Sequence, residues 1–95
     1  MLLKKREEVY YMGYSLKRRK EIFEKASPVR GKNPALYRID DYGNRIFFKS
    51  YGLNSKMGWE IDHKNPKSKG GSDKDRNLRP LNTAENRRKG ARCPY

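Results

Sequence analysis

The sequence predicts a small α+β domain in which a strand–loop–strand–helix unit follows a β-hairpin and an N-terminal helix. Three observations predict this class. Between Gly58 and Gly90, apolar alternation (Trp59, Ile61) gives way to a loop punctuated by Pro and Gly, then to the apolar pair Leu78 and Leu81, then to a polar, basic segment. That last segment carries helix end signals. Asn82, with Glu85 three residues later, is a capping-box variant, and Gly90 stands where a helix stops. Upstream, two apolar-rich runs flank Asp40-Asp41-Tyr42-Gly43-Asn44, the turn chemistry of a hairpin.

Taken in order, residues 1–27 read as a helical arm. Met1 to Tyr14 follows no clean period, so a short helix and a docked arm both fit it. Tyr10, Tyr11 and Tyr14 lie among basic residues, where they either cover a small core or stack on unpaired bases. Ser15 caps a helix running to about Ala26, with Leu16, Ile22, Phe23 and Ala26 on or near one face and Lys17, Arg18, Arg19 and Lys20 on the other. Ser27-Pro28 ends it, and residues 28–35 form an extended loop. The hairpin spans residues 36–49, from Leu36–Ile39 to Arg45–Lys49, with Ile39, Ile46 and Phe48 covering the core together with Tyr51. Asp40 and Asp41 read as turn residues rather than a second metal site. Residues 58–90 are the core unit, with Trp59 packed under its strands and Glu60 facing solvent or supporting the site from outside it. All of this is one domain, 1–95.

Composition bounds the function. Of 95 residues, 24 are Lys or Arg and 11 are Asp or Glu, a net charge of +13. It divides into +7 over residues 1–50 (13 basic, 6 acidic) and +6 over residues 51–95 (11 basic, 5 acidic), so no basic tail hangs from a neutral domain. Such a charge favours a polyanionic partner; an RNA-binding or ribosome-associated protein and simple solubility are the alternatives that charge alone leaves open. One cysteine, Cys93, excludes an internal disulfide framework and a Cys-rich zinc site. No apolar run approaches the ~20 residues that span a bilayer, and Met1 to Lys5 lacks the apolar core of a signal peptide. A cytoplasmic or nucleoid-associated setting is expected.

The core unit places chemistry-bearing residues in a telling order. Asp62 and His63 close the first strand, and Asn86 lies one turn into the helix. A helix crossing two strands brings Asn86 back over Asp62, where two oxygens can hold a hard divalent cation: Mg²⁺, or alternatively Mn²⁺. His63 points to the opposite face of the strand from Asp62 and is free to take a proton from water. Asn77 joins the catalytic set as its support, bonding backbone groups across the loop and fixing where His63 points. Arg87, Arg88 and Lys89, in the last helical turn, complement the helix dipole and contact phosphate; Lys67 and Lys69 in the loop are expected to contact nucleic acid as well.

Asp62-His63, Asn77 and Asn86, with the flanking SKGGSD, NLRPL and NRRKG segments, resemble the HNH endonuclease family. Asn77 lies fourteen positions after His63, and Asn86 nine after Asn77. The last signature position is more often His, so this chain is similar to the HNN variant, which also occurs in the HNH nuclease domain of RNA-guided DNA-cleaving effectors. The Cys-x-x-Cys pairs that many relatives use for structural zinc are missing. The resemblance implies a ββα-metal (His-Me finger) fold, metal-dependent nicking or cleavage of DNA, His63 as general base, and Asp62 and Asn86 as metal ligands. The competing readings are a non-catalytic nucleic-acid-binding module on the same fold and a basic structural protein of a ribosome or packaged genome. Neither requires Asp62, His63 and Asn86 to stand together.

Overall fold

The computed structural model describes residues 13–90. The expectations for residues 1–12, Tyr10 and Tyr11 among them, and for Cys93 lie outside the described residues. Helix α1 spans Leu16–Phe23, and the Ser15 side chain caps it by accepting from the Arg18 amide at 3.1 Å. It stops short of Ala26 because the amides of Lys25 and Ala26 turn back to the carbonyls of Ile22 and Phe23, three residues away, tightening the chain out of the α-helix. Ile22, Phe23 and Ala26 are buried as expected, whereas Leu16, in the first turn, is exposed.

Ser27-Pro28 does more than end the helix. Ser27–Pro28 is a two-residue strand, β1, that pairs antiparallel with β2 (Tyr37–Ile39), Ser27 opposite Ile39 and Pro28 opposite Arg38. Pro28 is tolerated there because β1 is an edge strand. The expected hairpin is present: β2 pairs with β3 (Arg45–Phe47). Its second strand is shorter than expected, since Phe48–Ser50 winds into a 3₁₀ turn. Asp40 makes the turn, its Oδ1 accepting from the amides of Tyr42 (2.9 Å) and Asn44 (2.8 Å). Its Oδ2 accepts from the amide of Asn82 at 2.9 Å, so the buried carboxylate also ties the hairpin to the core unit.

The core unit is the strand–loop–strand–helix of the sequence reading. Strand β4 (Trp59–His63) and strand β5 (Leu78–Asn82) pair antiparallel, with Asp62 opposite Arg79 and His63 opposite Leu78. Pro80 sits inside β5 without breaking it, because β5 has a partner on only one side. Helix α2 (Thr83–Lys89) follows directly. Its cap is only half of the expected box. Asn82 Oδ1 accepts from the amides of Ala84 and Glu85, but the Asn82 amide donates to Asp40 instead of Glu85. Glu85 turns to Asn44 and Arg88. Gly90 ends the helix at positive φ, its amide reaching the Asn86 carbonyl.

α1 and the hairpin form the floor under β4 and β5. The Phe23 ring lies 5.1 Å from the Trp59 ring and 5.2 Å from that of Phe48, centroid to centroid, and Trp59 Nε1 donates to the Phe48 carbonyl. Ile22, Ala26, Ile46, Ile61 and Leu78 complete this cluster, with Tyr14, Phe48 and Tyr51 against its edge. Each fully buried side chain of this size stabilises the fold by about 1.5–3 kcal/mol. Burial pushes the Tyr51 hydroxyl up to about 12. No helix among the described residues is long and apolar enough to cross a membrane.

Candidate active site

The alternation of β4 divides its side chains between two surroundings. Trp59 joins the aromatic core, whereas Glu60 and Asp62 meet α2. Asn86 Nδ2 donates to Glu60 Oε1 at 2.8 Å, and Arg87 reaches Glu60 Oε2 at 3.4 Å. A carboxylate only accepts, so the Asn86 amide nitrogen must be the atom on Glu60, and its oxygen is turned the other way. Glu60 is 7% exposed, which corrects the solvent-facing alternative.

Asp62 is 5% exposed and carries two cations. Arg79 Nε donates to its Oδ2 at 2.9 Å from the facing position on β5. Lys89 Nζ donates to its Oδ1 at 2.8 Å and to the His63 carbonyl at 3.2 Å. Burial works against the Arg79 charge, but bonds to Asp62, Tyr42 and Asp41 outweigh it and hold the guanidinium above its ordinary range. The side chain of Lys89, grouped in the sequence with Arg87 and Arg88, is turned inward at 8% exposure, while those two remain exposed.

His63, on the other face, lies at the end of β4 with Nε2 2.7 Å from Asp73 Oδ1. Lys67 Nζ stands 3.3 Å from the second oxygen of the same carboxylate. Hydrogen bonds from His63 and then Lys67 hold the Asp73 carboxyl below the usual carboxylate range.

The loop between the strands is fastened from within. Asn77 Oδ1 accepts from the Asn65 amide at 2.9 Å, and its Nδ2 donates to the carbonyls of Ser72 (2.7 Å) and Asn65 (3.1 Å). Its own carbonyl accepts from the Lys64 amide next to His63 at 2.8 Å. Gly70 adopts φ 92°, and a side chain on Gly71 would meet the Asn65 carbonyl oxygen at 1.7 Å, so both glycines are demanded by the turn. α1 fastens the loop from outside: Arg18 reaches the Asp73 carbonyl and the Asp75 carboxylate, and Lys25 donates to the carbonyls of Asp75 and Leu78.

Asp62, His63, Asn86 and Lys89 line one open cleft of about 300 Å³, together with Ile61, Pro66, Lys67 and Gly90. All three residues singled out at the two ends of the unit thus meet in one place. Lys67 lies at its rim, whereas Lys69, exposed on the loop, is not among the lining residues.

The HNH endonuclease family model matches residues 46–92. The chain belongs to the HNH endonuclease family. No curated protein and no solved structure matches it. HNH proteins are typically nucleases, so nucleic acid is the general kind of partner, and they generally use a divalent metal ion. The donors present here fit a hard ion of that kind. Among the described residues no three His, Cys, Asp or Glu side chains gather into a metal-holding group. The cleft offers one carboxylate, Asp62, and one amide oxygen, Asn86. Such an oxygen-only, incomplete set suits a cation that keeps waters and takes further oxygens from its substrate. An ammonium on Asp62 Oδ1 shows that the spot already accommodates positive charge.

Three contributors to this HNH site have no chemistry assigned to them in the sequence, and of these only Glu60 has any place there, in solvent or beside the site. Glu60 had a usable signal, because it lies two residues from Asp62 and therefore on the same strand face. Arg79 and Asp73 had none. One depends on strand register, the other on how a fourteen-residue span folds back on itself.

Proposed function

We propose that this chain is a metal-dependent DNA endonuclease that hydrolyses a phosphodiester bond, with His63 as general base. The observation that carries the reading is the single cleft in which Asp62, His63 and Asn86 meet under the basic end of α2. Asp62 and Asn86 would hold the divalent ion, Mg²⁺ by donor chemistry. When bound, the ion supplies charge neutralisation at the scissile phosphate. His63 takes a proton from water as the water oxygen bonds to phosphorus and the bond to the leaving oxygen breaks. Glu60 holds the Asn86 amide by its nitrogen, which reserves the oxygen for a cation. Asn77 keeps the loop, and with it the backbone after His63, in one shape. Arg87, Arg88, Lys67 and Lys69 are exposed and give the phosphate backbone its counter-charge.

Single-turnover cleavage and DNA binding, measured on one folded preparation, test the reading. His63→Ala should lose roughly 10²–10⁴-fold in rate, the usual worth of positioned proton transfer, and keep its DNA affinity. Undiminished cleavage by His63→Ala sinks the mechanism. A wild-type protein inactive with every divalent metal, yet binding DNA, favours the non-catalytic module instead.

A further inference from the structure

His63 lines two clefts at once. One holds Asp62, Asn86 and Lys89; the other holds Asp73 with Tyr14 and Arg18. On the Asp73 side, Nε2 stands 2.7 Å from a carboxylate oxygen, and Asp73 is itself held in place from three directions. Arg18 takes its carbonyl at 2.9 Å, Asn77 Nδ2 takes the carbonyl of the preceding Ser72 at 2.7 Å, and Lys67 reaches the free carboxylate oxygen. An exposed carboxylate fixed at both its backbone and its side chain is more than a solvated loop residue. An ionised carboxylate only accepts hydrogen bonds, so the atom facing it, Nε2, must carry hydrogen. A neutral imidazole has one N–H, which leaves the lone pair on Nδ1.

We propose that Asp73 is the positioning residue for His63: its carboxylate fixes the Nε2–H tautomer and so makes Nδ1 the nitrogen that receives the proton from water. This rests on the reading of His63 as the base. As the proton arrives at Nδ1, the imidazolium that forms is stabilised by the carboxylate already bonded to Nε2, and Asp73 itself takes no proton. Lys67 favours the ionised carboxylate on which the arrangement depends.

The chain has one histidine, so its ring-nitrogen NMR spectrum reports His63 alone. In metal-free, DNA-free protein at alkaline pH, the wild type should show the Nε2–H form. Asp73→Ala should show a mixture of the two tautomers. Asp73→Glu, which keeps a carboxylate that can only accept from Nε2–H, should restore the single form. In single-turnover cleavage Asp73→Ala should be slower by about 10- to 100-fold, the range for removing a partner that orients a functional histidine, with DNA affinity unchanged. In the His63→Ala background the same substitution should cost nothing further. An Asp73→Ala protein with the wild-type tautomer, or with the same loss whether or not His63 is present, overturns the proposal. The two failures are separable: full-rate cleavage by His63→Ala overturns the base reading, whereas an unchanged tautomer in Asp73→Ala overturns the Asp73 assignment and leaves the base reading standing.

Discussion

Lys89 holds the Asp62 oxygen that a divalent ion would take, and this makes the lysine a competitor as well as a neighbour. Substituting Met keeps most of the apolar stem and removes the ammonium. Lys89→Met should therefore tighten Mn²⁺ or Mg²⁺ binding to the DNA-free protein, by about tenfold if one ion pair of ~1.4 kcal/mol is released. Calorimetric titration measures this directly, and an unchanged affinity would place the ammonium outside the path of the ion. Asn86→Ala acts in the opposite sense. Removing the amide oxygen should raise the Mg²⁺ concentration for half-maximal cleavage, while Asn86→Asp or His supplies a substitute ligand. A wild-type metal titration for Asn86→Ala would remove this residue from the site. The Asn86 expectation depends on Glu60, whose carboxylate decides which end of the Asn86 amide faces the cleft.

At the scale of elements, the joints are single residues with several bonds. Asp40 closes the β2–β3 turn and holds the first residue of the α2 cap, all through backbone amides. Asp40→Ala leaves the buried Asn82 amide and the part-buried amides of Tyr42 and Asn44 without this acceptor and should destabilise the protein by roughly 2–4 kcal/mol, two or more charge-assisted bonds' worth, read as a lower urea midpoint at unchanged slope. A midpoint within experimental scatter of the wild type would show that water replaces the carboxylate. The turn role was legible in the sequence, because Asp before Gly-Asn bonds locally. The link to Asn82 was not, since 42 positions separate the two residues. The same division runs through the site. Strand alternation and helix caps are local, so the placement of Asp62, His63 and Asn86 could be reasoned from spacing. The partners of Asp62 depend on the β4–β5 register and on the last turn of α2, and β1 is too short to show any period. Likewise Glu85 followed a local rule on paper, yet Asp40 outcompeted it for the Asn82 amide.

Across the whole molecule, the charge of +13 is carried on both halves of the chain, so DNA binding should weaken steeply with salt. Log affinity should fall linearly with log salt, by about 0.9 for each phosphate neutralised, as fluorescence anisotropy on a duplex would follow. An affinity indifferent to salt would contradict a phosphate-tracking surface. The portion of the chain that matches the family begins at residue 46, yet Phe23 and Ile22 beneath Trp59, and Arg18 and Lys25 on the loop, come from before it. The portion recognisable by descent therefore leaves out part of the core under Trp59. Anyone transplanting this HNH cassette into another protein by its recognisable borders would carry the blade without its handle. A fragment of residues 46–92 should show the circular dichroism of an unfolded chain, and α1 must travel with it.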